Sequence, residues 1–335
     1  MELTHSTPLT ATELAHLWTS YQNDTMAICG IKYFLAHIDD LSTQELLEYA
    51  LELSVRHVQK VKEILTKEKY PIPHGFTEQD VNLDAPRLFS DALYLHYILN
   101  MGNFGLTSYG TALAMVARED IVDYYSTALA ETTELSNRAK KICLSKGIHI
   151  RPPVIPTPPK IDFVKQQNFL AGYFGEHRPL LGIEIADIVY SALRNGLGIA
   201  IIQGFSQVAQ NKEVRKYFER GREISKKHLK IFSTLLEENY LSQGAINLMA
   251  EVTDSSVSPF SDKLMLFHIA ALSASGIGQY GISMSTSPRH DLGVLYARLA
   301  AELLNYSDDG ANIMIKHGWM EEPPQSADRK KLSKS

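Results

Sequence analysis

Apolar residues recur at spacings of three and four along almost the whole chain. Between Thr10 and His37 the residues Leu14, Leu17, Trp18, Tyr21, Ile28 and Ile31 keep that rhythm, the signature of a helix with one buried face. A second helix opens at Ser42-Thr43-Gln44-Glu45, a capping-box sequence, and continues to about Lys69. The third begins near Pro86 and ends before Arg118. The fourth starts at Glu119-Asp120, acids suited to the positive end of a helix, and stops at Lys146-Gly147. No stretch alternates in the manner of a half-buried strand.

The pattern then starts again. Shifted by 171 residues, the chain falls onto itself without a gap. His57 meets His228, Phe89-Ser90-Asp91 meets Phe260-Ser261-Asp262, Tyr109-Gly110 meets Tyr280-Gly281, and Glu131 meets Glu302. Asp120 meets Asp291, Tyr125 meets Tyr296, Gly147 meets Gly318, and Pro152-Pro153 meets Pro323-Pro324. The expected fold is therefore all-α, two tandem four-helix bundles made by duplication. Residues 1–150 form the first bundle and 178–325 the second. Between them, 151–177 is a Pro-rich linker followed by a short aromatic segment from Ile161 to Phe174, read as a short helix. Residues 326–335 are a disordered basic tail. Each helix of about 28 residues is about 42 Å long. The connection between the second and third helices, Tyr70 to Ala85 and again Tyr240 to Ser258, is long enough to run the length of a bundle. That is the ferritin-like crossover.

Composition narrows the function classes. The net charge is −5 over 335 residues, against a nucleic-acid partner. Cys29 and Cys143 have no counterparts at the shifted positions and form no CxxC pair, so a reducing, cytoplasmic setting is expected. The N-terminus MELTHSTPLTATELAHLW lacks the basic and apolar regions of a signal peptide. The apolar run from Leu197 to Phe205 is interrupted by Gly204 and Gln203 and is too short to span a bilayer, so no membrane partner is expected. Nucleotide-binding and acyl-transfer motifs are missing.

A diiron bundle requires Glu-x-x-His on two helices, because residues three apart share a face. The one such match, Glu13-Leu-Ala-His16, becomes Glu184-Ile-Ala-Asp187 in the second copy, so diiron chemistry is not expected. A weaker constellation remains. His57 and Glu131 lie near the middle of their helices, as do His228 and Glu302. Asp24 lies at the level of Asn195 in the second copy, and His96 and His268 sit on the third helix of each copy. Two histidines and a carboxylate are a donor set for zinc, iron or manganese. The competing reading is a hydrogen-bonded His–Glu pair that fixes the register of the bundle and binds nothing, so no cofactor is expected. Gly102, Gly105 and Gly110, with Gly276, Gly278 and Gly281, point to close helix approach or a kink. Tyr109, Tyr125, Tyr280 and Tyr296 read as core aromatics with bonded hydroxyls.

The tandem helices, the Phe-Ser-Asp opening of the third, its Tyr-Gly and the Gly-then-Pro-Pro ending resemble the domain of unknown function 3231 family of spore-forming Firmicutes. The resemblance covers residues 10–154 and 178–324. It implies ferritin-like bundles, often in two copies, and an occasional spore-coat label given by similarity, but no catalytic residues. The expectation is a non-enzymatic structural or interaction protein, spore-associated, with protein partners or self-association. The alternative is a metal- or small-molecule-binding protein with one His–carboxylate site per bundle.

Overall fold

The computed structural model describes residues 7–173, 177–242 and 248–333. Eight long helices carry the fold: α1 Ala11–Leu35, α2 Leu41–Lys67, α3 Asp91–Met115, α4 Glu119–Ser145, α5 Gly182–Val208, α6 Lys212–Glu238, α7 Asp262–Thr286 and α8 His290–Lys316. A short α9, Arg329–Leu332, follows. Among the described residues the extended backbone amounts to isolated bridging such as Phe89 with Val252. The protein is all-helical and duplicated, as the 171-residue shift predicts.

Local chemistry moves two of the expected helix starts. The α2 cap is Asp40, whose side chain accepts from the Thr43 amide at 3.0 Å, rather than Ser42. A carboxylate there also takes the Ser42 and Thr43 hydroxyls, which a Ser42 cap would have left to solvent. The capping box sits instead on α1, where Thr10 and Glu13 bond reciprocally. Helix α3 begins at Asp91, not Pro86. Residues 86–90 are extended, and Ser90 caps the helix through the Leu93 amide, as Ser261 does for α7 through Leu264.

The helices form two compact units whose limits are not those of the repeats. Unit one comprises 1–84, 94–143 and 318–335. Unit two comprises 85–93 and 144–317. The boundaries expected at 150 and 178 thus miss an exchange of segments. Residues 85–93 of the first repeat lie within unit two, where Ser90 donates to the Glu251 carbonyl at 2.9 Å and Thr253 to the Leu88 carbonyl at 3.0 Å. Phe89 is buried there against Phe205, in the space a side chain at Gly204 would need. In return, Glu321 at the end of the second repeat belongs to unit one. Its carboxylate accepts from Gln22, from the His74 amide at 2.7 Å and from the Gly75 amide at 3.2 Å. Gly75 holds φ at +60° over Thr25, a conformation a side chain would strain.

In unit one Leu17, Val61, Leu65, Ile121 and Tyr125 pack together. In unit two the cluster is Ile188, Ala192, Phe232, Leu236, Leu292 and Tyr296. Each fully buried side chain of this size contributes roughly 1.5–3 kcal/mol. A buried glutamate ties the end of each bundle. Glu13 accepts from the Ala117 and Arg118 amides at 3.2 and 2.9 Å, fastening α1 to the α3–α4 turn. Glu184 is held by Arg178 at 2.7 Å and by the Leu181 amide. The Glu13-x-x-His16 match is therefore a cap and a turn anchor.

Unit two carries a stacked tyrosine pair with no counterpart at the matching positions of unit one. Tyr217 and Tyr306 lie face to face, 4.2 Å apart and 4° from parallel. The Tyr217 hydroxyl occupies the space of a side chain at Gly310, and the Tyr306 hydroxyl that of one at Gly221. At the matching positions unit one has Leu46, Leu135, Ala139 and Ala50. The glycines singled out from sequence divide. Gly102 and Gly105 face Ser136 and Thr132, and Gly276 faces Leu303, so close approach explains them. Gly110, Gly278 and Gly281 meet nothing within 4 Å, and nothing in the structure explains them.

The linker forms a 3₁₀ turn at Gln167–Leu170 rather than a helix, with the Arg178 guanidinium over the Phe169 ring at 4.4 Å. Phe174, the end of that expected segment, lies outside the described residues, as do 1–6 of the N-terminal reading and 243–247 of the second crossover. In the tail, Asp328 accepts from the Lys330 amide and starts α9, where disorder was expected. Helix α5 is apolar and long enough to cross a membrane by length and composition, which the broken Leu197–Phe205 run did not suggest. Two thirds of that stretch, 67%, is buried inside the protein.

Candidate functional site

In each unit all four helices meet at a histidine-centred polar cluster. In unit one the centre is His57 on α2, with a side chain 4% exposed. Its Nε2 lies 3.0 Å from a Glu131 carboxylate oxygen on α4. Its Nδ1 lies 3.2 Å from the Tyr109 hydroxyl on α3 and 3.6 Å from Asp24 on α1. Tyr109 in turn donates to the other Asp24 oxygen at 3.3 Å. Outside, Arg56 clamps Glu131 at 2.8 Å. The order of the chain, from surface to core, is Arg56, Glu131, His57, Tyr109, Asp24.

Unit two repeats this with one change. His228 on α6 is fully buried, its Nε2 3.1 Å from Glu302 on α8 and its Nδ1 3.1 Å from the Tyr280 hydroxyl on α7. Lys227 clamps Glu302 from outside. On α5, Asn195 stands where unit one has Asp24. Its amide nitrogen donates to the Tyr280 hydroxyl at 3.0 Å and to the Ser191 carbonyl at 2.8 Å. A carbonyl can only accept, so the atom facing it must be the amide nitrogen.

That change reverses the hydrogen-bond chain. A carboxylate can only accept, so Tyr109 spends its proton on Asp24 and offers His57 an oxygen. His57 can answer with an N–H at both nitrogens, as an imidazolium. An amide nitrogen can only donate, so Tyr280 accepts from Asn195 and spends its proton on His228. The His228 Nδ1 then accepts through its lone pair, the arrangement that suits a neutral ring. The titration directions agree. Burial works to strip both rings of their proton, but at His57 the Asp24 and Glu131 carboxylates outweigh it and hold the pKa above the ordinary value. At His228 burial prevails over Glu302, helped by Lys227 and Arg298, and the pKa falls below it. Burial pushes the Tyr280 hydroxyl up to about 12, and burial with the Asp24 charge pushes Tyr109 well above its usual range. Glu302 is held below the usual carboxylate range, the Lys227 and His228 bonds outweighing its burial.

Of the residues singled out from sequence, Asp24, His57 and Glu131 come together, and so do His228 and Glu302. The other two histidines do not join them. His96 lies thirteen residues before Tyr109 and His268 twelve before Tyr280, which on one helix is about 18–20 Å along the axis. His268 packs edge-on against Phe205, and burial there lowers its pKa to about 4. Matching helix depth placed the His–Glu pairs well. It failed for the third helices because α3 and α7 cross the centre with their C-terminal halves. Among the described residues no three His, Cys, Asp or Glu side chains are grouped to hold a metal ion. Asp24 and Glu131 approach opposite nitrogens of the one imidazole, so they cannot share an ion with it. The sequence reading missed the outer clamps Arg56 and Lys227, whose signal was a base beside the histidine in both copies.

The architecture is that of a tandem all-helical bundle protein, with a histidine-centred polar core in each half. A family model described as protein of unknown function (DUF3231) matches residues 1–161 and again 168–332, and the chain belongs to this family. Among solved structures, one from Bacillus halodurans described as a "putative spore coat protein" aligns at 20% identity and a TM-score of 0.41, over 45% of this chain and 98% of that one. No curated protein matches.

Proposed function

We propose that the protein is a non-enzymatic structural and interaction protein built from two ferritin-like bundles, and that it works in association with the spore. One observation supports the non-enzymatic part: both ring nitrogens of His57 and of His228 are taken by the protein's own groups, and the exposed side of each glutamate is closed by Arg56 or Lys227. Each centre is satisfied from within, and its role in this reading is to hold four helices in one register. The family resemblance motivates the spore association.

Two measurements test this. Untagged protein purified without chelators is analysed for zinc, iron and manganese beside a His57→Gln/His228→Gln double variant. Substoichiometric metal in both samples is expected, and one or two equivalents lost with the histidines would overturn the reading. Separately, antibody detection across vegetative cells and purified spores should place the chain in the spore fraction. Its confinement to vegetative cells would overturn the second half.

A further inference from the structure

The middle of α6 and the first half of α2, matching stretches of the two units, differ in charge. Between Arg215 and Lys230, α6 holds seven Lys or Arg and two Glu. The matching stretch of α2, Gln44 to Gln59, holds one Arg and three Glu. In a chain of net charge −5, this basic stretch is a local inversion. Lys216, Lys226, Lys227 and Lys230 are exposed along it, and Lys216 and Lys230 face no carboxylate within ion-pair reach among the described residues. Beside them a groove of about 610 Å³ runs between α6 and α8, lined by Ile224 and Ile231, by the ion pairs Lys227–Glu302 and Arg220–Asp309, and by Arg298. Arg298 too has no carboxylate partner among the described residues. On α2, Glu45, Glu48 and Glu52 are all exposed, and their spacing of three and four puts them on one face.

We propose that the α6–α8 groove is a self-association surface, and that its occupant is the acidic α2 face of a second copy. This rests on the interaction reading above and names the partner. The argument is complementarity: every copy that offers the basic stretch of α6 also offers three exposed glutamates on one face of the first half of α2. The net negative charge of the whole molecule disfavours a polyanion such as nucleic acid at the same face. Because the two faces are different surfaces, the contact is heterologous and propagates from copy to copy unless the rotation closes a ring.

The test is sedimentation of the full chain at low and high ionic strength, about 20 and 300 mM salt, across which the screening length falls several-fold. Association is expected at low salt, with affinity weakened about tenfold or more at high salt. A Lys216→Glu/Lys226→Glu/Lys230→Glu variant makes both faces acidic. A Glu45→Lys/Glu48→Lys/Glu52→Lys variant makes both basic. Each alone should stay monomeric, and a mixture of the two should associate. Circular dichroism confirms that both are folded. A wild-type monomer at every salt concentration, or association that survives either variant, overturns the inference. A spore-located chain that never self-associates would fail this inference alone and leave the functional reading standing.

Discussion

His57 and His228 occupy the same place in two copies of one bundle and bond to matching glutamates and tyrosines, yet their pKa values shift in opposite directions. The centres differ at one inner position, the carboxylate oxygen of Asp24 against the amide nitrogen of Asn195, and in the outer charges that flank them. A tyrosine hydroxyl can relay either polarity, so the neighbour that cannot turn decides which way the whole chain runs. At His57 the deciding carboxylate acts both directly, 3.6 Å from Nδ1, and through the Tyr109 hydroxyl.

The largest expected effect comes from breaking the charged centre. Asp24→Ala leaves a buried imidazolium short of its counter-charge and should cost about 3 kcal/mol at pH 6. Asn195→Ala removes neutral bonds and should cost about 1 kcal/mol. Urea unfolding at one pH compares them, and equal costs would mean that the two centres do not differ in charge. Next is the stacked pair of unit two. Gly221→Ala drives a methyl group into the Tyr306 hydroxyl and should cost about 1–3 kcal/mol. The mirror change in unit one, Ala50→Gly, meets no such ring and should cost about 1 kcal/mol through helix propensity.

Asn195→Asp should convert the second centre into the first. The His228 titration midpoint, followed by NMR, is expected to rise from below to above the ordinary histidine value. A midpoint that stays put would show that the clamp, Lys227 in place of Arg56, sets the difference instead. The smallest effect is on pH dependence. Folded His57 holds its proton more tightly than the unfolded chain, so its contribution is complete below 6.5 and is lost as pH rises through the elevated pKa. Folded His228 holds its proton less tightly, so its contribution is complete above 6.5 and is lost as pH falls toward the lowered pKa. Stability profiles of His57→Gln and His228→Gln should therefore flatten on opposite sides of 6.5.

The duplication and the helix count were legible because amphipathic periodicity and a fixed offset survive in sequence as spacing. The His–Glu pairs were legible for the same reason: each residue lies mid-helix, so either helix direction brings them level. The donor direction was not, since spacing says nothing about which atom of Asn195 faces Tyr280 until Ser191 supplies an acceptor. Nor was the exchange of segments. Phe89 and Phe260 look alike in the two copies, and only three-dimensional packing against Phe205 assigns Phe89 to the other unit. His96 and His268 misled because the crossing depth of a third helix depends on how far its crossover travels.

The hold of Glu321 on unit one has a consequence for synthesis. The carboxylate that closes over the amides of His74 and Gly75 is made 246 residues after Gly75. At about 5–20 residues per second a ribosome needs roughly 12–50 s to deliver it. Until then the loop at His74 and Gly75 has no carboxylate over it, and residues 85–93 have no unit two to pack into.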